Sequence, residues 1–345
     1  MLTDKEVEEI REHLGKAQNP LFFFDNDVDG LTSFLILQRY IGRGKGIAIK
    51  SFPGLSKAYF RRVEELSPDY IFVLDKPMVD PDFVELANQK NLPVVHIDHH
   101  NIPKPLLIEN YYNTFHSSKK TEPTAYLCYK VTGKKSDLWL GVIGSIGDGF
   151  IPEFIDEFKQ EYKELIDYDY ETAFDILYNT PLGKIIQILS YGLLDTTSNV
   201  VHMLKFLMKI NNPYDILEEN NKTKSFLDRY EFINQKVKSI VKKAEMFLDR
   251  KKKLLFFTYG GDMSLSQYVS NELFYKYPDF VIVVGYISGN YANFSLRGNN
   301  DVRQITLDSI KDIEGATGGG HEHSTGAKMT ADKVEGFREN IIKNL

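Results

Sequence analysis

The sequence has a single cysteine, Cys128, among its 345 residues. An intrachain disulfide and a thiolate zinc site are both excluded, and a reducing cytoplasm is the expected compartment. No stretch approaches the ~20 uninterrupted apolar residues that a membrane-spanning helix requires. Met1 to Ile10 is acidic at helical spacing where a secretion signal is basic and then apolar, so neither export nor membrane insertion is expected. Positive charge is not in excess either, since 42 Lys and Arg against 48 Asp and Glu leave a formal charge of -6. That balance does not advertise a nucleic-acid binder. The basic clusters Arg61-Arg62, Lys119-Lys120, Lys134-Lys135 and Arg250-Lys251-Lys252-Lys253 could line a phosphate path, but read individually as solvated surface. Internal repeats and low-complexity segments are absent. What remains, 42% hydrophobic and 26% charged residues, suits a soluble enzyme with room for two domains.

The most informative feature is Asp98-His99-His100, at the end of the apolar run Leu92 to Ile97. A folding core has no use for an acid and two imidazoles leaving a buried strand together, so a metal is the expected reason. Three other segments repeat the design. Leu21-Phe22-Phe23-Phe24 runs into Asp25-Asn26-Asp27-Val28-Asp29-Gly30, Tyr70 to Leu74 ends in Asp75, and Leu138 to Gly147 ends in Asp148-Gly149. In an open α/β sheet, ligands bind beyond the carboxyl ends of the parallel strands, so four apolar segments of this kind bring their terminal groups to one crevice. The expected product is an Asp/His cage for hard or borderline divalent ions.

Periodicity divides the chain into three parts. Residues 1–155 alternate strand-like and helical patterns, as in a parallel sheet covered by helices, with a crossover helix from Leu31 that ends at Gly42-Arg43-Gly44. Residues 156–248 read as a helical connector, including Gly183 to Leu193, Asn199 to Lys209 and Lys222 to Phe247. Residues 249–345 read as a smaller α/β domain with strands at Leu254 to Tyr259, Phe280 to Tyr286 and Ala292 to Arg297, and a helix between the first two.

Taken singly, each motif has a bland alternative. Asp25 to Gly30 could cap a helix or begin a calcium loop, although the twelfth position of such a loop is Ile36 instead of Glu. Asp75 alone could be a strand-end turn, His99-His100 a capped turn, and Gly147-Asp148-Gly149 a loop. Gly318-Gly319-Gly320-His321 could be a flexible surface loop, or a set of backbone donors suited to phosphate. Their joint occurrence is what carries the metal reading. Two divalent ions about 3.5 to 4 Å apart can polarise a phosphoryl group, activate water and stabilise a leaving oxygen.

The order and wording of these segments resemble the DHH phosphoesterase superfamily. Its members include RecJ-type exonucleases, oligonucleotide and cyclic-dinucleotide phosphodiesterases, and family-II pyrophosphatases. The resemblance spans Leu21 to Met329 and includes the Gly-Gly-Gly-His signature of the DHH-associated domain. It implies a parallel-sheet DHH domain joined by helices to a smaller α/β DHH-associated domain, with a metal cleft between them. It also implies metal ligands at Asp27, Asp29, Asp75, His99 and Asp148, with Asp75 as a carboxylate bridge. His100 is then the residue facing substrate phosphate, and Asp98 the acceptor that orients a neighbouring imidazole. Asp25 stands where RecJ-like members have an additional acid, which assigns it to the second ion directly or through water. Phe23 stands where many relatives carry a metal-binding histidine. In the second domain, Ser295 and Arg297 match a Ser-x-Arg element that grips a nucleic-acid phosphate, and Gly318, Gly319, Gly320 and His321 are the substrate-side residues.

The resemblance therefore implies a metal-dependent phosphodiesterase using two divalent cations, with manganese preferred and magnesium, cobalt or zinc as substitutes. Asp-Asn-Asp-Val-Asp-Gly is closer to RecJ than to the form common in small-substrate relatives, and Val73-Leu74-Asp75-Lys76-Pro77 is similar to archaeal RecJ-like proteins. The expectation is a single-strand exonuclease acting on DNA or RNA and releasing nucleoside monophosphates. Its setting would be DNA repair or replication, beside the GINS complex of the replicative helicase. The alternatives are a phosphodiesterase for short oligonucleotides or cyclic dinucleotides, and a noncatalytic replication scaffold.

Overall fold

The computed structural model describes residues 1–51, 54–119 and 121–345; Lys120, from one of the basic clusters, lies outside them. The chain divides into two compact units, Met1–Tyr230 and Glu231–Leu345. Among the described residues no helix is long and apolar enough to cross a membrane.

The first unit is built on a five-stranded parallel sheet of β1 (Pro20–Asp25), β2 (Lys45–Ile49), β4 (Tyr70–Leu74), β6 (Val94–Asp98) and β7 (Asn110–Asn113), in the order β2-β1-β4-β6-β7. The short strands β3 (Gly54–Leu55) and β5 (Met78–Val79) form a separate parallel ladder. Helices α1 (Asp4–Lys16), α2 (Val28–Ile41), α3 (Phe60–Leu66), α4 (Pro81–Gln89), α5 (Thr114–Ser118), α6 (Thr124–Thr132) and α7 (Leu138–Gly147) surround these strands in sequence. Then come α8 (Ile155–Glu161), α9 (Ala173–Asn179), α10 (Pro181–Leu193) and α11 (Thr197–Leu207), and α12 (Lys224–Ala244) begins in this unit and continues into the second. β1 is a buried triplet of phenylalanines, and its alternating side chains serve both faces of the sheet. Phe23 meets Phe83 edge-on at 5.6 Å, whereas Phe24 stacks on Phe34 of α2 at 5.1 Å.

Strand order fixes where a ligand can sit. The chain leaves β1 for β2 on one side and enters β4 on the other, so the carboxyl ends of β1 and β4 flank a topological switch point. Asp25 closes β1, Asp75 follows β4, and Asp98 closes β6.

The fourth apolar segment differs from the expected strand-like design. Leu138–Gly147 is α7, and it is buried along nearly its whole length. A helix that is apolar all round has no polar face to mark a 3.6-residue period, which is why the sequence could not distinguish it from a buried strand. Its glycines allow it to lie close to α2 and α6. A Cβ on Gly144 would come within 2.2 Å of Thr32 Oγ1 and 2.3 Å of the Ala125 Cβ. This close approach delivers Asp148, the C-cap of α7, to the end of the sheet.

The second unit is a six-stranded mixed sheet of β8 (Leu248–Asp249), β9 (Leu254–Gly260), β10 (Val281–Ser288), β11 (Tyr291–Arg297), β12 (Thr317–His321) and β13 (Ser324–Thr330), in the order β12-β13-β11-β10-β9-β8. Only the β9/β10 pair is parallel. Helices α13 (Ser266–Lys276), α14 (Val302–Ile310) and α15 (Val334–Asn344) complete it. Leu254, Val283, Phe294, Leu296, Val302, Phe337 and Ile341 belong to a core confined to this unit. The Gly318–Gly320 run, whose bland alternative is a surface loop, is part of β12. Its ladder with β13 outweighs the low strand preference of glycine.

Candidate metal centre

Asp25 Oδ1 accepts from the Lys76 ammonium at 2.8 Å and from its neighbour Asn26 N at 2.7 Å. Asp27 is the extended N-cap of α2 and accepts from Gly30 N at 2.9 Å. This loop is tight enough that a Cβ on Gly30 would come within 2.5 Å of the Asp25 carbonyl oxygen. Asp29, 3% exposed, turns inward from the first turn of α2, and its two oxygens accept from Thr124 N at 2.8 Å and Ala125 N at 2.7 Å. Those are the first amides of α6, so the carboxylate occupies the positive end of that helix.

Asp75 has left-handed backbone, φ 57°, and its N–H donates to Ile97 O at 2.9 Å. Thr124 Oγ1 donates to Asp75 Oδ1 at 3.3 Å, and His99 Nε2 lies 3.3 Å from the same oxygen. His99 Nε2 is also 3.8 Å from Asp148 Oδ2. Ligand atoms of Asp29, His99 and Asp148 all lie within 4.8 Å of one another, and so do those of Asp75, Asp98 and His100.

Burial raises the proton affinity of these acids, and their mutual repulsion adds to it. The Asp27 carboxyl is pushed up to about 7, first by desolvation and then by the charge of Asp25. Asp29 and Asp75 rise well above the ordinary carboxylate range from burial first, with Asp148 the next contributor at Asp29 and Asp29 the next at Asp75. His99 moves down because its imidazole is buried, leaving it neutral and able to ligate. An uncompensated cluster of oxygens with one neutral imidazole suits a divalent cation, and the N/O donor set fits manganese, magnesium or zinc.

Residues 21–141 match the model of the DHH family, N-terminal domain. The chain carries a DHH domain. Its whole fold is RecJ-like. RecJ from Thermus thermophilus in complex with Mn2+ superposes with a TM-score of 0.71 at 13% identity, covering 98% of this chain and 54% of that one. The chain therefore spans about half the length of that relative. A second structure, of exonuclease RecJ bound to manganese, gives a TM-score of 0.66 at 13% identity, with 98% and 93% of the two chains covered. A pGpG-specific phosphodiesterase from Vibrio cholerae gives 0.52 at 10% identity, with 94% and 98% covered. Comparison with curated proteins finds no match.

Within the DHH domain the name-giving triplet divides its labour. His99 faces Asp75 and Asp148, whereas Asp98 turns to His100, with Oδ1 2.7 Å from His100 Nδ1 and Oδ2 accepting from His100 N at 3.2 Å. Burial alone would raise Asp98, but the charge and hydrogen bond of His100 outweigh it and hold the carboxyl far below its ordinary range. Burial likewise opposes charge on His100, and Asp98 overcomes it, raising the imidazole to about 9. Asn113, which had no sequence signal, steadies the pair. Its Nδ2 donates to Asp98 Oδ2 at 3.2 Å and to His100 O at 3.0 Å. His96 is buried, with Nε2 2.7 Å from the Lys76 carbonyl oxygen.

In the second unit, the β11/β13/β12 ladder gathers residues far apart in sequence. Ser295 pairs with Gly326, which pairs with Gly319; Arg297 pairs with Ser324, which pairs with His321. Ser295 and Gly319 thus share one row and Arg297 and His321 the next on the same face, while Gly318 and Gly320 occupy the alternate positions of β12. Ser295 Oγ contacts Ser266 Oγ at 3.1 Å. Arg297 is 7% exposed and donates to Asn271 Oδ1 at 2.6 Å and Leu296 O at 2.7 Å.

Proposed function

We propose that the protein is a divalent-metal-dependent phosphodiesterase, acting as a RecJ-like exonuclease on single-stranded nucleic acid and releasing nucleoside monophosphates. The observation that carries this reading is the convergence of Asp29, His99 and Asp148, with Asp75 beside them, at the switch point of a DHH domain. Asp27, Asp29, Asp75, His99 and Asp148 are the proposed holders of the metal, with manganese as the preferred ion. When bound, it supplies a nucleophile from water and neutralises charge on the phosphoryl oxygens.

His100 has a separate task. Held protonated by Asp98, it offers Nε2–H to a phosphate oxygen and stabilises the negative charge that grows there in the transition state. In the second unit the glycines of β12 and His321 are proposed to contact the strand, with Ser295 and Arg297 in the same rows behind them. DNA repair or replication is the proposed setting, in the cytoplasm, and a replication assembly such as GINS the proposed partner.

The direct test is digestion of long and short single-stranded DNA and RNA, labelled separately at each end, with manganese and with EDTA. Stepwise loss from one end that requires manganese supports the exonuclease. Cleavage of dinucleotides alone would reassign the protein to short substrates, and binding without turnover would make it a scaffold.

Asp98→Asn tests the His100 assignment. Removing the anion leaves burial unopposed, so the imidazole loses its proton at lower pH. Turnover should fall by about 10- to 100-fold, the usual cost of losing an outer-shell partner. The alkaline limb of the kcat profile should move from near 9 toward neutrality, so the loss is larger at pH 8 than at pH 6. An unchanged alkaline limb would remove His100 from this role.

A further inference from the structure

Lysines rarely enter a protein interior, yet the Lys76 side chain is only 2% exposed. Its ammonium finds a counter-charge at Asp25 Oδ1, 2.8 Å away. The backbone that aims it is held from β6 at two points. Ile97 O accepts from Asp75 N at 2.9 Å, and His96 Nε2 contacts the Lys76 carbonyl oxygen at 2.7 Å. With Asp75 left-handed between β4 and Lys76, consecutive side chains separate, Asp75 toward His99 and Lys76 toward Asp25.

The donors then divide unevenly. Asp29, His99 and Asp148 form one set with mutually close ligand atoms. In a second set, Asp75, Asp98 and His100, two members are already joined by the 2.7 Å Asp98–His100 contact, and Asp98 also accepts from Asn113. Of the two other acids at the end of β1, Asp27 accepts from Gly30 N at 2.9 Å, and Asp25 is engaged by the ammonium. The β1 residues before it add no donor, because Phe23 and Phe24 are fully buried in aromatic packing on the two faces of the sheet.

We infer that this centre holds a single divalent ion, and that the Lys76 ammonium, fixed on Asp25, stands as its permanent second cation. This refines the metal-dependent reading above, on which it rests, and replaces the two-ion expectation from the sequence. An ammonium brings one charge where an ion brings two, cannot exchange with solvent, and has no coordination position to offer water. Buried as it is, Lys76 fixes the charge of Asp25 and does not touch substrate. It is a positioning residue.

The test is stoichiometry, independent of turnover. Metal-free full-length chain is titrated with manganese while free aqueous Mn2+ is followed by electron paramagnetic resonance. Wild type should bind about one ion per chain, and Lys76→Met, which keeps length and removes charge, about two. Asp25→Asn should stay at about one, because a residue already paired with Lys76 contributes no ligand. Two ions on wild type would overturn the inference while leaving metal-dependent chemistry intact; no binding at all would overturn both. A Lys76→Met chain with native circular dichroism that still binds about one ion would also overturn it. If that variant does not fold, wild type and Asp25→Asn decide the matter, since a fall from two ions to one on losing Asp25 makes that residue a ligand.

Discussion

Asp75→Asn should abolish metal-dependent turnover while making the metal-free protein more stable. The two effects share one cause. Asp75 is 2% exposed and surrounded by Asp25, Asp27, Asp29 and Asp148, all of which disfavour its charge. Without a cation that concentration of charge is a burden, and a neutral amide relieves it. With a cation, the same charge would hold the ion beside His99, as proposed above. Loss of turnover by at least about 10²- to 10³-fold is expected, the scale on which one preorganised electrostatic group contributes to a transition state. Metal-free stability should rise, because the amide carries neither the burial penalty of the carboxylate nor the repulsion of its neighbours. Asparagine is the informative replacement because the φ of 57° is a left-handed position that Asn tolerates and Ala resists. End-labelled substrate assays give the first quantity, and melting in EDTA gives the second. A variant that keeps a tenth of its activity, or melts lower in EDTA, would remove Asp75 from the centre.

The second large effect is a pH dependence that the metal reverses. Asp27, Asp29 and Asp75 have folded pKa values raised above the unfolded carboxylate value of about 4. Their contribution is complete below that value and is lost as pH climbs toward and through the folded values, about 7 for Asp27 and well above the ordinary carboxylate range for Asp29 and Asp75. The buried histidines His13, His96 and His99 are shifted down and act in the opposite sense, but their gain ends once free histidine is neutral, near pH 7. Above neutrality nothing opposes the loss, and His100, raised to about 9, adds to it because its folded form holds a proton that the unfolded chain has released. In EDTA the melting temperature should therefore fall between about pH 7 and pH 8.5, on the order of 3 °C for a protein of this size. With saturating manganese it should hold or rise, because deprotonated carboxylates are the form that binds the ion. Parallel pH profiles that fall equally with and without manganese would show that these acids do not face a cation site.

Part of this was legible in the sequence because several apolar runs each stop at an acid, a coincidence that caps and turns do not account for together. Asp25, Asp75 and Asp98 were each flagged by a buried apolar run stopping at a charge, and the sheet does bring those ends together. Asp148 was found for a partly mistaken reason. The run before it is a buried helix, whose uniformly apolar surface has the same composition as a core strand. The second sheet was half legible. Alternating β-branched and aromatic residues marked β9, β10 and β11, but nothing local marks Gly318–Gly320 as strand, since its conformation comes from pairing with β13. Least visible were the contacts that set the electrostatics. Lys76 reads as an ordinary lysine after a strand until Asp25, 51 positions away, is seen against its ammonium. Asn113 and the α6 amides carry no motif, and their roles exist only in the folded chain.

The Asp29 carboxylate closes on the amides of Thr124 and Ala125 across 95 and 96 residues of chain. During synthesis, Asp25 to Asp29 leaves the ribosome long before those amides or Asp148 have been made, so the nascent segment meets divalent ions with only a fragment of its ligand set. Closing so long a loop is an entropic cost that local chelation cannot offset, and contacts of such separation form late in folding. Ion capture would then come only after the segment through Asp148 has emerged and folded, and a chain interrupted before Asp148 would lack one of the proposed ligands.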